Sequence, residues 1–283
     1  MRFVTYDSGR GPRAGVLRDG GVADVWDGLG EEPPDGDAGI RSLLRHRGVD
    51  AAVRAFAPAS ALPLREVSLL PPVPNPGKLI LIGLNYRSHA HEQGVEPPEM
   101  PTFFAKYPNA LAPAGAEVRL PSYSEKVDYE AEVAFVVGRR CHDVDEADAL
   151  EQIAGFTLLN DLSARDYQFR TPQWMPGKVF DDSAPCGPAL VTPDEAGPAD
   201  AIELSLTLNG ETMQSASTAD LIHSIPALVA YLSRLMTLEP GDLVSTGTPA
   251  GVGSLRQPHV WLKPGDEVVV ESPTLGRLET RIA

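Results

Sequence analysis

Residues 128–137, Asp-Tyr-Glu-Ala-Glu-Val-Ala-Phe-Val-Val, are hard to place anywhere but inside a sheet. From Ala131 onward nearly every side chain is apolar on both alternating faces, which predicts a strand covered on both sides. Glu130 and Glu132 stand two apart at its entrance and therefore point to one face. Burying both unpaired would cost several kcal/mol or force one to take a proton. A divalent cation removes both problems, and hard oxygen ligands of this kind suit magnesium, manganese or calcium. The alternative is an exposed strand end with two solvated glutamates.

Composition narrows the partners. Against 24 Lys and Arg stand 39 Asp and Glu, a net charge of -15 that repels nucleic acid and anionic membrane surfaces, and no basic run offsets it. The first residues lack the apolar stretch of a secretory signal, and no segment is apolar for long enough to span a bilayer, so a cytoplasmic protein is expected. Cys141 and Cys186 lie far apart without metal-type spacing and read as free thiols. The 26 Gly and 27 Pro predict many turns and short strands, and 42% hydrophobic content provides a core, so a β-rich α+β fold is expected.

Residues 1–70 read as a small amino-terminal domain, with strand-like pieces at 2–5 and 14–17, weak helical signals at 40–44 and 51–54, and an acidic loop at 30–35. Four prolines in residues 71–77 stiffen the chain and mark a linker. A larger domain follows over 78–283. It opens with an apolar strand, residues 78–83, from which Gly83 permits a tight exit. A helical turn over 86–93 places His89 and Glu92 on one face, either as an imidazole oriented by a carboxylate or as an ordinary surface contact. Residues 145–155 predict a short helix closed by Gly155. The strand after it delivers Asp161 at its carboxyl end, where ligands gather, or where the side chain caps the following turn. Lys178 follows Trp174 and a Pro-Gly turn, as a desolvated lysine or an exposed loop residue. Asn209-Gly210 predicts a hairpin. A helix from about Pro226 has Leu228, Val229, Leu232 and Leu235 on one apolar face. The glycine-rich stretch 246–253 lacks phosphate-loop spacing but can present backbone N–H groups to a small anion.

Taken in order, Asn85-Tyr86-x-x-His89-x-x-Glu92, Asp128-Tyr129-Glu130-x-Glu132, Asn160-Asp161-x-Ser163-Ala164-Arg165-Asp166-x-Gln168, Gly177-Lys178 and Thr246-Gly247-Thr248-Pro249-x-Gly251-Val252-Gly253 resemble the fumarylacetoacetate hydrolase family. The resemblance implies a mixed β-sandwich or β-roll core, a homodimer, and a magnesium or manganese ion held by Glu130, Glu132 and Asp161, with calcium as a further option. It implies His89 and Glu92 as the base pair and Lys178 as a neutraliser of developing charge. Arg165, Gln168 and Thr248 would contact substrate oxygens. The founding members carry an Asp seven residues before the histidine as a fourth ligand; here that position is Ile82, which points to the three-carboxylate branch. For this chain the resemblance implies a metal-dependent hydrolase that cleaves a carbon-carbon bond in an acylpyruvate-like 2,4-dioxo acid, with decarboxylation or keto-enol isomerisation of a 2-oxo acid such as oxaloacetate as the alternative. Asp181-Asp182 departs from the family pattern and is expected to add negative charge near Lys178.

Overall fold

The structure, a computed structural model, describes residues 1–34, 37–49, 52–53 and 61–283. Asp35 of the acidic loop and Ala51 and Arg54 of the second helical signal lie outside the described residues.

Two sheets form the frame. The larger has twelve strands, in the order Ala61–Pro63, Gly21–Asp24, Pro12–Arg18, Arg2–Asp7, Ala184–Val191, Ile153–Asn160, Ala131–Val137, Leu243–Ser245, Leu79–Gly83 and Thr102–Lys106, with Ser68–Leu70 and Leu111–Ala112 attached at its side. The Arg2–Asp7 strand pairs antiparallel with Ala184–Val191, so the sheet runs from the first residues into the carboxy-terminal region. The second sheet, in the order Glu211–Ser217, Glu203–Leu208, Glu267–Ser272, Gly276–Ile282 and Ala116–Val118, packs across the middle of the first.

All seven residues of Ala131–Val137 are buried. Val133 and Phe135 face the second sheet, where they join a cluster with Leu204, Leu206, Val268 and Val270. Ala134 and Val136 face the other way, toward Trp26, Ile40 and Leu43 from the amino-terminal segment. Each large side chain so buried contributes about 1.5–3 kcal/mol. Covering both faces is what the uninterrupted apolar run requires.

Register fixes where chemistry can gather. Ala131 lies opposite Asn160, and Ala134 opposite Ser245. Leu243–Ser245 is parallel to Leu79–Gly83. The carboxyl ends of these three neighbours therefore converge on the amino end of Ala131–Val137, and each runs directly into one of the polar motifs.

Several local expectations change. Residues 146–152 form a 3-10 turn, and Gly155 lies inside the Ile153–Asn160 strand instead of closing a helix. A Cβ there would fall 2.4 Å from the Val191 carbonyl oxygen, so glycine permits close strand pairing. At the exit of Leu79–Gly83 the positive φ, 52°, belongs to Leu84. Gly83 instead makes room for Trp174, whose ring would stand 2.3 Å from an added Cβ. The helix Ile225–Leu235, capped by Ser224, buries Leu228, Val229 and Leu232, but Leu235 is exposed because its turn overhangs the core. The Asn209-Gly210 hairpin forms, with φ of 52° and 83° as a two-residue turn demands.

Candidate metal centre and active site

Glu130, Glu132 and Asp161 are all buried, and each offers a carboxylate oxygen within 4.8 Å of the others. Asn160, the last residue of its strand, accepts the Glu130 N–H through Oδ1 (3.0 Å), and Asp161 N–H donates to the Glu130 carbonyl (2.9 Å). These bonds lock the two strand ends so that their carboxylates face one another. Asp161 caps no helix: Arg165–Gln168 begins after Ala164 without a side-chain cap.

Three cations surround this cluster. Lys178 Nζ lies 2.7 Å from Glu130 Oε2 and 2.6 Å from Asp161 Oδ2, and it is buried. Gly177 makes this possible, because a Cβ there would meet Ala164 O and Gln168 N at 2.5 Å. Arg165 reaches Glu130 Oε1 at 2.7 Å and Asp128 Oδ2 at 2.8 Å. The third cation, Lys106, was not among the residues singled out in the sequence. It is fully buried on the Thr102–Lys106 strand, with Nζ 2.7 Å from Asp161 Oδ1 and bonds to the Ser183 carbonyl (2.6 Å) and Ser183 Oγ (3.0 Å). Its flanking sequence, Phe-Ala-Lys-Tyr-Pro, is that of any amphipathic edge strand, so only the fold reveals it.

Glu132 differs from its neighbours. Its Oε2 accepts from the Ser245 hydroxyl and from Gly247 N–H (3.1 Å), and among the described residues it has no cationic partner within pairing distance. Burial, then the Asp161 and Glu130 carboxylates, push its pKa well above the usual carboxylate range. Glu130 goes the other way: burial raises it, but Lys178 and Arg165 outweigh burial and hold it at about 2. Burial, opposed by Asp161, brings Lys106 down to about 8. Three converging hard oxygens, one of them on a carboxylate without a counter-cation, fit a divalent metal ion. The position of a fourth carboxylate is filled by buried Ile82, which lines the same cavity.

That cavity, ≈ 80 Å³, also holds His89 and Lys178 in its wall, beside Phe104, Phe169 and Trp174. His89 and Glu92 do share a face of the helix Arg87–Gln93: Nδ1 to Oε2 is 3.0 Å. Glu92 Oε1 accepts from Gly251 N–H at 2.8 Å, so the carboxylate is fixed from the opposite loop. Gln93 lies 2.7 Å from His89 Nε2. With Nδ1–H donated to Glu92, Nε2 is the acceptor of the pair and receives the Gln93 amide.

The remaining expected contacts are more committed than the sequence suggested. Besides its two ion pairs, Arg165 donates to Gln168 Oε1 (3.0 Å), so the guanidinium braces the cluster. Thr248 donates its hydroxyl to the Ala131 carbonyl (2.9 Å) and accepts from Gln214 Nε2 (2.9 Å), which ties its loop to the central strand. Gln214, unnoticed in the sequence, also accepts the Ala131 N–H (2.9 Å). The amides of the glycine-rich loop serve protein carboxylates: Gly247 on Glu132, Gly251 on Glu92, Gly253 and Ser254 on Asp128 (2.7 and 3.0 Å). Asp181 and Asp182 are exposed, Asp181 bonding Asn109 Nδ2 at 2.7 Å, while Ser183 turns inward to Lys106 and the Lys178 carbonyl. The extra negative charge thus faces solvent.

Comparison with known proteins agrees with this geometry. Residues 78–283 match the family described as fumarylacetoacetate (FAA) hydrolase C-terminal. The chain is 41% identical over 223 residues to the mitochondrial oxaloacetate tautomerase FAHD2A of Bos taurus, covering 78% of this chain and 71% of that one. The 5-carboxymethyl-2-hydroxymuconate delta-isomerase of Mycobacterium smegmatis superposes with a TM-score of 0.79 at 32% identity, over 100% of this chain and 98% of that one. Maleylpyruvate hydrolase of Sphingobium sp. SYK-6, in complex with manganese(II) and pyruvate, gives 0.79 at 29% identity over 100% and 99%. Among the described residues no helix is long and apolar enough to cross a membrane. With the motifs, the fold and these likenesses in agreement, the chain belongs to the fumarylacetoacetate hydrolase family.

Proposed function

We propose that this chain is a divalent-metal-dependent enzyme that interconverts keto and enol forms of a 2-oxo acid. The observation that carries the reading is His89, which lies 3.0 Å from Glu92 and lines the same small cavity as Glu130, Glu132 and Asp161. Magnesium or manganese held by those three carboxylates would supply the positive charge that a 2-oxo acid head and its enolate form call for. Glu92, fixed by Gly251, holds the Nδ1 proton of His89 and leaves Nε2 as the group that takes and returns a proton at carbon 3. Gln93 shifts aside to admit the substrate. Lys178 brings a buried ammonium next to the developing negative charge. The tautomerase named among the relatives favours this chemistry.

The second reading, carbon-carbon hydrolysis of a 2,4-dioxo acid, uses the same residues. There His89 takes a proton from water attacking the 4-carbonyl, and the C3–C4 bond breaks to leave a pyruvate-type enolate. The hydrolase among the structural neighbours supports it. Purified protein with magnesium or manganese, given oxaloacetate and acetylpyruvate in parallel, separates the readings. Enol decay without fragments or carbon dioxide marks a tautomerase, acetate plus pyruvate a hydrolase, and carbon dioxide a decarboxylase. His89→Gln should lower the rate by roughly 10²–10⁴ with folding intact. Wild-type enol decay no faster than the buffer rate refutes the proposed tautomerase.

A homodimer fits the exposed sheet edge, where Phe103 on Thr102–Lys106 stands between exposed Met100 and Tyr107.

A further inference from the structure

His89 and Gln93 stand four apart on the helix Arg87–Gln93 and so share a face, with the Gln93 amide 2.7 Å from His89 Nε2. Through its other ring nitrogen His89 is bound to Glu92 at 3.0 Å, and Glu92 is itself fixed by Gly251 N–H. A neutral imidazole with its proton on Nδ1 has one in-plane lone pair, on Nε2, and accepts one hydrogen bond there. The Gln93 amide fills that place, so a water cannot stand on Nε2 at the same time.

Gln93 also stands on the side from which water reaches the base. Beside the ≈ 80 Å³ cavity of the metal centre lies one of ≈ 340 Å³, and His89, Gln93, Arg165 and Phe169 line both. Two of these four are fixed, His89 by Glu92 and Arg165 by Glu130, Asp128 and Gln168. Gln93 is exposed, and the helix ends directly behind it at Gly94, whose N–H closes on the His91 carbonyl (3.0 Å). Its backbone is thus held while its side chain faces solvent, so the amide can leave Nε2 for a substrate and return.

We propose that Gln93 is a specificity-determining residue, which keeps the His89 lone pair from water and so directs the site to proton transfer at carbon 3 instead of carbon-carbon hydrolysis. The two reactions ask different things of Nε2. In keto-enol exchange the substrate itself reaches the lone pair: the C3–H bond breaks, its proton goes to Nε2 and its electron pair into the enolate, and the proton returns to carbon 3 when the keto form is restored. In hydrolysis a water must stand on Nε2 with the substrate already bound. Its proton goes to Nε2, its oxygen bonds to carbon 4, and the C3–C4 electron pair passes into an enolate that then takes the proton. A donor tethered on the same helix competes with that water as an intramolecular group, whereas the bound substrate carbon has only to push the amide aside. The proposal rests on His89 as the base, as in the reading above, and extends it to the choice of reaction.

The test compares the parent with Gln93→Ala, which removes the amide and its bulk, and Gln93→Met, which keeps the bulk without a donor; an exposed helix end tolerates both. With magnesium-loaded protein, acetate release from acetylpyruvate and enol decay of oxaloacetate give a ratio of hydrolysis to exchange. Both variants should raise that ratio about tenfold, the weight of one hydrogen bond. Independently of turnover, diethyl pyrocarbonate reacts with a free imidazole lone pair, and exposed His91 on the same helix serves as the internal reference. Labelling of His89 relative to His91, read by peptide mass spectrometry, should rise about fivefold in both variants. A ratio in Gln93→Ala within about twofold of the parent's would overturn the choice of reaction, and the parent's ratio in Gln93→Met would overturn the hydrogen bond as its cause. Unchanged labelling in both variants would overturn the hold on Nε2. Absence of enol decay and of acetate with all three proteins would overturn the 2-oxo acid reading instead, while the labelling still decides whether Gln93 holds the lone pair.

Discussion

Glu132→Gln isolates the electrostatic logic of the site, because it should move stability in opposite directions with and without metal. Two like charges 4.8 Å apart at an effective dielectric constant of 20 repel by about 3.5 kcal/mol, and Glu132 has two carboxylates, Glu130 and Asp161, within that distance. Lys178, lying on both neighbours, cancels much of this, leaving a net penalty of about 2 kcal/mol for the ionised Glu132. Glutamine keeps an oxygen for Ser245 and Gly247 and offers an amide to the neighbouring carboxylates. In EDTA the variant should therefore melt ~5 °C higher than the parent. The pH dependence follows in sign. A carboxyl raised by folding stabilises fully below its unfolded pKa, and that contribution is lost as pH rises from the ordinary carboxylate range through its raised value. The parent in EDTA should lose stability across that window, and the variant should show a flatter slope. Magnesium at a hundred times its dissociation constant should then stabilise the parent by about 2.7 kcal/mol and the variant by far less, so the order of melting temperatures crosses. Scanning fluorimetry of both proteins from pH 5 to 8, in EDTA and in magnesium, reads all of this. A variant that melts below the parent in EDTA, or keeps the full magnesium shift, would refute the reasoning.

Other expectations are simpler. Lys106→Met removes the cation from Asp161 Oδ1 and the donor from the Ser183 carbonyl, and should cost about 3 kcal/mol in urea unfolding, as loss of one partner of a buried pair does; a cost under 1 kcal/mol would show that Lys178 alone suffices for Asp161. Gly177→Ala forces a Cβ against Ala164 O and Gln168 N, so the Lys178 turn must shift; a stability loss of about 1–3 kcal/mol and a larger loss of kcat than of substrate affinity are expected. Asp128→Asn weakens the hold on Arg165 and on the Gly253 and Ser254 amides at once, and should raise KM for the 2-oxo acid; unchanged kinetics would remove Asp128 from the support of the site.

How much of this was legible beforehand follows from range. Apolar patterning and turn chemistry are local, so the central strand at 131–137, the Asn209-Gly210 hairpin and the helix after Ser224 could be read from neighbours along the chain. The i,i+3 spacing of His89 and Glu92 likewise predicts their contact. Where local signals misled, a distant residue was responsible: Gly155 reads as a helix stop until Val191 is seen beside it, and Gly83 as a turn residue until Trp174 is seen to fill its space. Leu235 fits its helical face by period, but the core ends one turn earlier.

The same division holds at the site. The amino-acid sequence by itself placed Glu130 and Glu132 on one face at a strand entrance, because alternation is a property of any extended chain, and the order of the motifs pointed to the family. It could not rank the carboxylates. Glu130, paired with Lys178 and Arg165, is held at about 2, whereas Glu132, two residues away, is pushed upward. Nor could it show Lys106 on Asp161, or the loop amides directed onto Glu132, Glu92 and Asp128 in place of a free anion. Those choices depend on which strand ends meet, and register across a twelve-stranded sheet is set by packing on both its faces together, which no single segment of the chain contains.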